Sequence, residues 1–411
     1  MSHRPKRWTA TELYQLFLII VIFAAACLET DIYLPAFPDI MAYFGVSETK
    51  IQWILSWNFI ALCISGPIYG PLSDSFGRKG PLTVGLTLFL IGSIITAFAN
   101  SFEWLLLGRV LQGLGAGGCF AIGGAIIFDA FQKDKAVLAL NRINVIIPCL
   151  LGAAPMLGGF LNIHFGFRSN FIFVCLLVFI SWLLFVATFK ETLSSTQRKT
   201  MSLKLHSQDF MRICRNKSFW QLNLIISLLF TVYISFLSIS PVLFMIGFGI
   251  AKDVYPLFQG TIIAAWLVAS LGAEAMLERL GEHGMKKLGS TCLVASLILF
   301  ILCLAFAARN PLLLTASLSI FALGFNWVQT PCFIEIMNIM PDLKGSVSAL
   351  ITSIRLLLSA LAVALVGALY NGSIASFAYI FFAAMAVILP ILWHRNSNTQ
   401  ILSKSMLYKE N

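Results

Sequence analysis

Twelve apolar runs, each long enough to cross a bilayer, dominate this sequence. A hydrocarbon core about 30 Å thick takes roughly 20 helical residues to cross, and lipid offers the backbone no hydrogen-bond partners, so such runs fold as helices. They fall at about 13–36, 52–71, 81–99, 104–126, 137–161 and 170–188, then about 219–244, 256–277, 289–307, 311–334, 346–369 and 375–393. The expected fold class is therefore all-α integral membrane, with twelve transmembrane helices in two six-helix halves. The segments are an N-terminus 1–12, a first half 13–188, a central loop 189–218, a second half 219–393 and a tail 394–411. Part of the central loop, 203–213, reads either as a short amphipathic helix on the membrane surface or as a plain linker.

Charge agrees with that reading. Only 11% of residues are charged, against about 25% in a soluble domain. Twenty-one of the 28 Lys and Arg lie at the termini, the central loop and the turns on the same side. Lys50, Arg168, Lys252 and Arg309 lie opposite, and Arg109, Arg142 and Arg355 fall inside spans. Cationic loops stay cytoplasmic, so both termini are expected in the cytoplasm. The same bias accounts for the net charge of +10 without a nucleic-acid partner. Arg4, Lys6 and Arg7 lead into a run too long for a cleaved signal, so none is expected. The nine cysteines form no CxxC pair, and His3, His164, His206, His283 and His394 all fall outside the expected spans. No metal site or cofactor is expected, and no nucleophile–base constellation that would make an enzyme. Two matched halves point instead to a transporter with a site between them.

Four stretches carry chemistry. Gly70-Pro-Leu-Ser-Asp74-Ser-Phe-Gly77-Arg78-Lys79 sits where spans 2 and 3 reverse direction. Its glycines suit a tight turn, and Arg78 is placed to pair with Asp129 at the end of span 4. Such contacts, broken and remade, would latch one conformation; an ordinary solvated turn is the plain alternative, though it leaves Asp74 unexplained. In span 1, Glu29 and Asp31 are intramembrane acids about 200° apart on a helix, so they cannot share a face. Asp31 is favoured for a central cavity, because Pro35 removes the hydrogen bond to its carbonyl; the alternative has both acids reaching the outer headgroups. Arg109 in span 4 lies at a similar depth, either switching Asp31 between proton release and retention or pairing structurally. Gly113-Leu-Gly115-Ala-Gly117-Gly118 fits GxGxxG formally, but inside an apolar helix it reads as close helix packing.

These stretches resemble the major facilitator superfamily. The loop after span 2 is similar to its signature, and Leu107-Gly-Arg109-Val-Leu-Gln112-Gly113 to its arginine motif. Gly152-Ala-Ala-Pro155-Met-Leu-Gly158-Gly159 in span 5 resembles the antiporter motif of the twelve-span drug:proton antiporters, with Ala154 where glycine is usual. Asp31-Ile-Tyr-Leu-Pro35 resembles the bicyclomycin/chloramphenicol-resistance branch. The resemblance covers residues about 13–393. It implies the major facilitator fold, a bacterial plasma (inner) membrane, alternating access, and a monomer that exports small organic molecules in exchange for protons. The proton gradient is then the energy source, and Asp31, Glu29 and Arg109 the coupling groups. Asp31, Tyr33, Arg109, Gln112, Phe120, Tyr233, Trp327 and Arg355 are the expected cavity; Gly70, Asp74, Gly77, Arg78, Lys79 and Asp129 are the expected latch.

Two features differ between the halves. The second half keeps only a faded turn, Leu277-Glu-Arg-Leu-Gly281-Glu-His283, without the basic pair, so proton chemistry is expected mainly in the first. Arg355 in span 11 has no acid at its depth; it binds an anionic group of the substrate or holds the halves together through backbone carbonyls. Arg142 is expected to snorkel or to join the latch. A dedicated carrier of an anionic metabolite such as a carboxylate siderophore, and an uptake symporter, are the rival functions.

Overall fold

The computed structural model describes residues 8–131, 133–194, 196, 198, 211–306, 310–340 and 343–407. No strand occurs among them. The surface helix expected over 203–213 lies outside the described residues except for its last three.

Among the described residues ten helices are long and apolar enough to cross a membrane, including Phe102–Ala130 and Pro311–Ile339. Helix Lys133–Phe165 is 33 residues long and supplies span 5, running past His164. Helix Tyr255–Leu271 is the shorter apolar one. Its continuation explains the eighth and ninth spans. Helix Ala273–Phe306 is broken at Gly281, whose φ of 67° lies in the left-handed region. Residues 273–280 thus extend span 8, and span 9 starts after the break. The helix of span 12, Ala375–Leu407, runs beyond its expected end at 393 into what was read as a tail.

Each half has its own hydrophobic core, one between Leu16 and Phe189 and one between Ile213 and Leu392. The first reaches across to Ile234, Leu237 and Val242 of span 7 and to Leu356, Ala360 and Val363 of span 11. Outside, large apolar side chains such as Phe98, Phe128, Val268, Leu312 and Tyr379 stand exposed. Water would not tolerate such a continuous apolar surface; lipid is its natural solvent. This is a multi-pass membrane protein.

Glycines explain how the first half packs so closely. A Cβ on Gly115 would stand 2.4 Å from the Phe89 nitrogen, and one on Gly113 2.3 Å from the Asn58 carbonyl oxygen. Spans 2 and 3 therefore press onto span 4 along its small-residue face, and the GxGxxG pattern is a packing seam.

The halves meet along spans 2 and 11 and along spans 5 and 8. Thr49 donates to the Gly367 carbonyl at 2.8 Å and Gln52 to the Ser238 carbonyl at 3.1 Å. Fourteen positions further along both helices, the Cys63 thiol donates to the Ser353 carbonyl at 3.2 Å. At 1.5 Å per residue the seam runs about 21 Å from the face away from the termini. Lys252 and Asp39 join the halves at that same face, 2.5 Å apart. The structure is closed on the face distal to the termini.

Candidate functional site

The site is organised by a break in span 1. Its first helix, Ala10–Asp31, ends where Pro35 has no N–H to give the Asp31 carbonyl. A short 3-10 turn, Leu34–Ala36, and helix Phe37–Phe44 follow. Carbonyls at a helix end need outside donors, and Arg109 supplies one: its Nη1 donates to the Glu29 carbonyl at 3.1 Å.

Both terminal nitrogens of the same guanidinium find further partners, while its Nε is buried without an acceptor among the described residues. Nη1 also meets Glu29 Oε2 at 2.5 Å and Gln112 Oε1 at 2.7 Å, while Nη2 donates to the Tyr33 hydroxyl at 2.9 Å. Asn58 of span 2 donates to Glu29 Oε1 at 3.2 Å and to the Arg109 carbonyl at 3.1 Å. Gln112 donates onward to Ser93 of span 3 at 3.0 Å. Four spans are thus tied to one ion pair that has no contact with solvent. A buried pair adds little net stability, but removing either partner strands the other charge at a cost of about 3–5 kcal/mol.

This geometry corrects the expected pairing. Arg109 binds Glu29, not Asp31. Nor do Arg109, Gln112 and Tyr33 line a cavity here: all are fully buried inside the first half, with Tyr33 stacked on Phe171 of span 6 at 5.4 Å. The reason is the 200° between the two acids. With Glu29 turned inward to span 4, Asp31 is turned outward to the other half, where Tyr233 of span 7 and Tyr255 of span 8 lie within range of its charge. Asp31 is 6% exposed. Among the described residues its carboxyl makes no hydrogen bond or ion pair to another span. Tyr255 is itself held by Ser240 and Gln259, both at 2.7 Å.

The antiporter-motif helix packs directly on the break. A Cβ on Gly158 would fall 1.6 Å from the Ile32 carbonyl oxygen, so only glycine lets span 5 lie there. Beside it, Gly159 faces Pro256 of span 8 and Pro35 of span 1. Pro155 is buried, and the helix runs continuously through Gly152.

Other expected cavity residues sit nearer the seam. Tyr233 lies 6.4 Å from Phe325. Phe120 packs on Phe23 at 5.8 Å, within the first half. The Trp327 indole N–H is buried with no partner among the described residues. Arg355 stacks its guanidinium 4.5 Å above Phe230.

At the face of the termini, Arg78 Nε reaches Asp129 at 2.7 Å, and its Nη1 reaches Asp74 at 2.5 Å and Ser73 at 2.8 Å. Burial alone would weaken the charge of Arg78, but the two carboxylates win and hold its pKa above the ordinary value. Two expectations change. Gly70 is not part of the turn: it lies within helix Trp53–Phe76, and a Cβ there would touch nothing. The side chain of Lys79 makes no ion pair among the described residues. Arg142 also stays out of the latch and lies 4.8 Å above the Trp8 ring.

Glu191, just past span 6, was missed. Its carboxylate accepts from the backbone N–H of Arg78 at 2.9 Å and of Lys79 at 3.1 Å, capping span 3. It sits so close to Gly77, at φ +92°, that a Cβ there would lie 2.4 Å from Glu191 Oε2. Burial pushes its carboxyl up, but backbone donors from Leu193, Arg78, Lys79 and Thr192 outweigh that and hold it below the usual carboxylate range. Being one of two acids in a basic loop, with Asp209, was the only signal in the sequence. Also missed was Glu335 at the end of span 10, which ion-pairs with both Lys286 and Arg395.

Residues 19–363 match the Major Facilitator Superfamily. The chain belongs to that superfamily. It is 26% identical over 373 residues to the uncharacterized MFS-type transporter YdgK of Bacillus subtilis, covering 89% of this chain and 91% of that one. It is 26% identical over 316 residues to the multidrug resistance protein MdtL of Klebsiella pneumoniae, covering 75% and 76%. Among solved structures it resembles a D-xylose-proton symporter at a TM-score of 0.74 and 14% identity, covering 93% of this chain and 96% of that one. It also resembles the human organic anion transporter MFSD10 at 0.69 and 17%, covering 94% and 99%. These likenesses place the two-half bundle in the major facilitator fold, and membership of this superfamily makes the protein a transporter, not an enzyme.

Proposed function

We propose that the protein is a proton-coupled exporter of small organic molecules, working by alternating access, with Asp31 as its proton carrier. The observation that carries the reading is the position of Asp31. It is an intramembrane acid at the break in span 1, turned toward the half that must swing away, and without an ionic partner among the described residues. Glu29, two residues earlier, has its charge matched by Arg109 and is a fixed part of the first half.

The coupling rule follows from desolvation. A bare carboxylate buried at the break is costly, whereas a protonated one is a neutral donor. The halves therefore close over the acid once it is protonated and part to release the proton into water. With the termini cytoplasmic, as the basic loops imply, the closed distal face is the outer one, and the central region answers to the cytoplasm. A proton taken from outside would return Asp31 to the inner side, where its release readies the protein for the next substrate. Each inward unit charge gains about 2.3 kcal/mol per 100 mV. Export, and not uptake, is supported by the multidrug resistance relatives. A bacterial inner membrane and a monomeric carrier without a bound cofactor belong to the same reading.

The test uses everted vesicles with an imposed proton gradient, and anthracene-9-carboxylate, ethidium and chloramphenicol as probes. Asp31→Asn should abolish gradient-driven accumulation while the protein still inserts and keeps its thermal stability. Full gradient-driven accumulation by the variant refutes the assignment, and accumulation of the opposite sign in wild type makes the protein a symporter.

A further inference from the structure

We propose that Arg355 is the binding group for the anionic end of the substrate, and that the protein's substrates are amphipathic organic anions, an aromatic or apolar body bearing a carboxylate or similar group. This inference rests on the transporter reading and names its substrate class.

Three buried or half-buried arginines show what a structural arginine looks like in this protein. Arg109 has four partners, Arg78 has two carboxylates and a hydroxyl, and Arg168 holds Tyr43, Asn100 and the Ala99 carbonyl. Arg355 differs from all of them. The Nε of Arg109 is buried without an acceptor, as is that of Arg355, but Arg355 has no hydrogen bond or ion pair from any guanidinium nitrogen among the described residues. The Phe230 ring lies beneath it, 4.5 Å from the guanidinium carbon. Stacking covers a face of the guanidinium and leaves its in-plane N–H fork free, the edge that binds carboxylates in a two-pronged manner. The alternative role, tying the halves through backbone carbonyls, is not found: the carbonyls on the seam are taken by Thr49, Gln52 and Cys63.

Placement supports a ligand. Phe230 and Tyr233 pack against the hydrophobic cores of both halves, so they stand at the surface where the halves meet. The Thr49–Gly367 and Cys63–Ser353 bonds put Arg355 level with Ala61 of span 2, about 5 Å nearer the face of the termini than Asn58, which bonds Glu29 and Arg109. A substrate arriving from that face meets Arg355 first, with Phe230 and Tyr233 to cover its apolar body. A bound carboxylate matches the cation, so the halves can close over the loaded site without burying a bare charge. Asp31 on the opposite half stays free for its proton.

The test is equilibrium binding to purified full-length protein, with no gradient, so it does not depend on the direction of transport or on Asp31. Three probes of one shape are compared by tryptophan quenching: anthracene-9-carboxylate, 9-anthracenemethanol and 9-anthracenemethylammonium. Wild type should bind the carboxylate at least tenfold more tightly than the ammonium. Arg355→Gln should lose at least tenfold for the carboxylate and leave the alcohol within twofold; Arg355→Lys should fall between. Phe230→Leu should weaken all three. Should Arg355→Gln fail to fold, the wild-type probe order and Arg355→Lys still decide. Equal binding of the three probes by wild type, preference for the ammonium, or equal loss of all three in Arg355→Gln overturns the proposal. A failure of Asp31→Asn to affect transport would leave this result standing, and the reverse also holds.

Discussion

The two halves solve the same problem at the face of the termini with opposite signs. In the first, one cation, Arg78, stands between two acids, Asp74 and Asp129. In the second, one acid, Glu335, stands between two bases, Lys286 and Arg395. The frame is shared. Asp129 and Glu335 close spans 4 and 10, and the turns before spans 3 and 9 both pass through a left-handed glycine, Gly77 at φ 92° and Gly281 at φ 67°. What the repeat preserves is the place of a charged knot, not the sign of its centre. Deep in the bundle the halves part company. The first binds its intramembrane arginine in a closed network; the second leaves Arg355 on an aromatic ring.

That contrast can be broken at its strongest point first. Arg109→Ala strands Glu29 inside four spans and should cost about 3–5 kcal/mol, whereas Arg355→Gln should leave thermal stability unchanged. Equal losses in detergent melting curves would show that the two arginines do the same work. Next, Gly158→Ala drives a methyl into the Ile32 carbonyl and should cost about 3 kcal/mol, the upper end of overpacking effects. Gly70→Ala, with open space around it, should fall within about 0.5 kcal/mol of wild type. Below Gly158→Ala in size, Arg78→Gln and Glu335→Gln should each cost about 1–2 kcal/mol, between exposed and fully buried pairs. Both should also speed hydrogen exchange at their own turn and not at the other. A change confined to the first half would end the sign-reversed equivalence.

The smallest effect concerns Glu191, which has no counterpart among the described residues of the second half. Its carboxyl sits below the ordinary range in the folded protein, so its contribution is present above the unfolded pKa and fades as pH falls through the folded value. Glu191→Gln should therefore lie below wild type in melting temperature at neutral pH, by no more than about 1 kcal/mol, and converge with it on the acid side. A gap that stayed constant with pH would assign the loss to packing and not to charge.

Much of this was legible from the chain. Hydrophobic length gave the spans, and the basic loops implied which ends share a face. Pro35 marked the break after Asp31, and the spacing of Asp74, Arg78 and Asp129 brought that knot together. The partner of Arg109 was not legible. The 200° between Glu29 and Asp31 says that they diverge but not which one turns inward, because the phase of span 1 is set by its packing on spans 4 and 6. Glu335 escaped for a different reason. Its partners, Lys286 and Arg395, are distant in sequence, and a search for a same-sign copy of Arg78 passes over an inverted one. Gly70 failed because a glycine in a motif was taken for a turn, while the helix simply runs through it.

The seam of spans 2 and 11 has a mechanical consequence. Its rungs at Thr49 and Cys63 hang along one pair of rods, with Gln52 tied to span 7 beside them and the Asp39–Lys252 clasp at the same rim. Prising the rim apart therefore strains the Cys63 rung beneath it before that rung can let go. If the proposed alternation of access holds, such a ladder would make opening a toggle with few half-open stops.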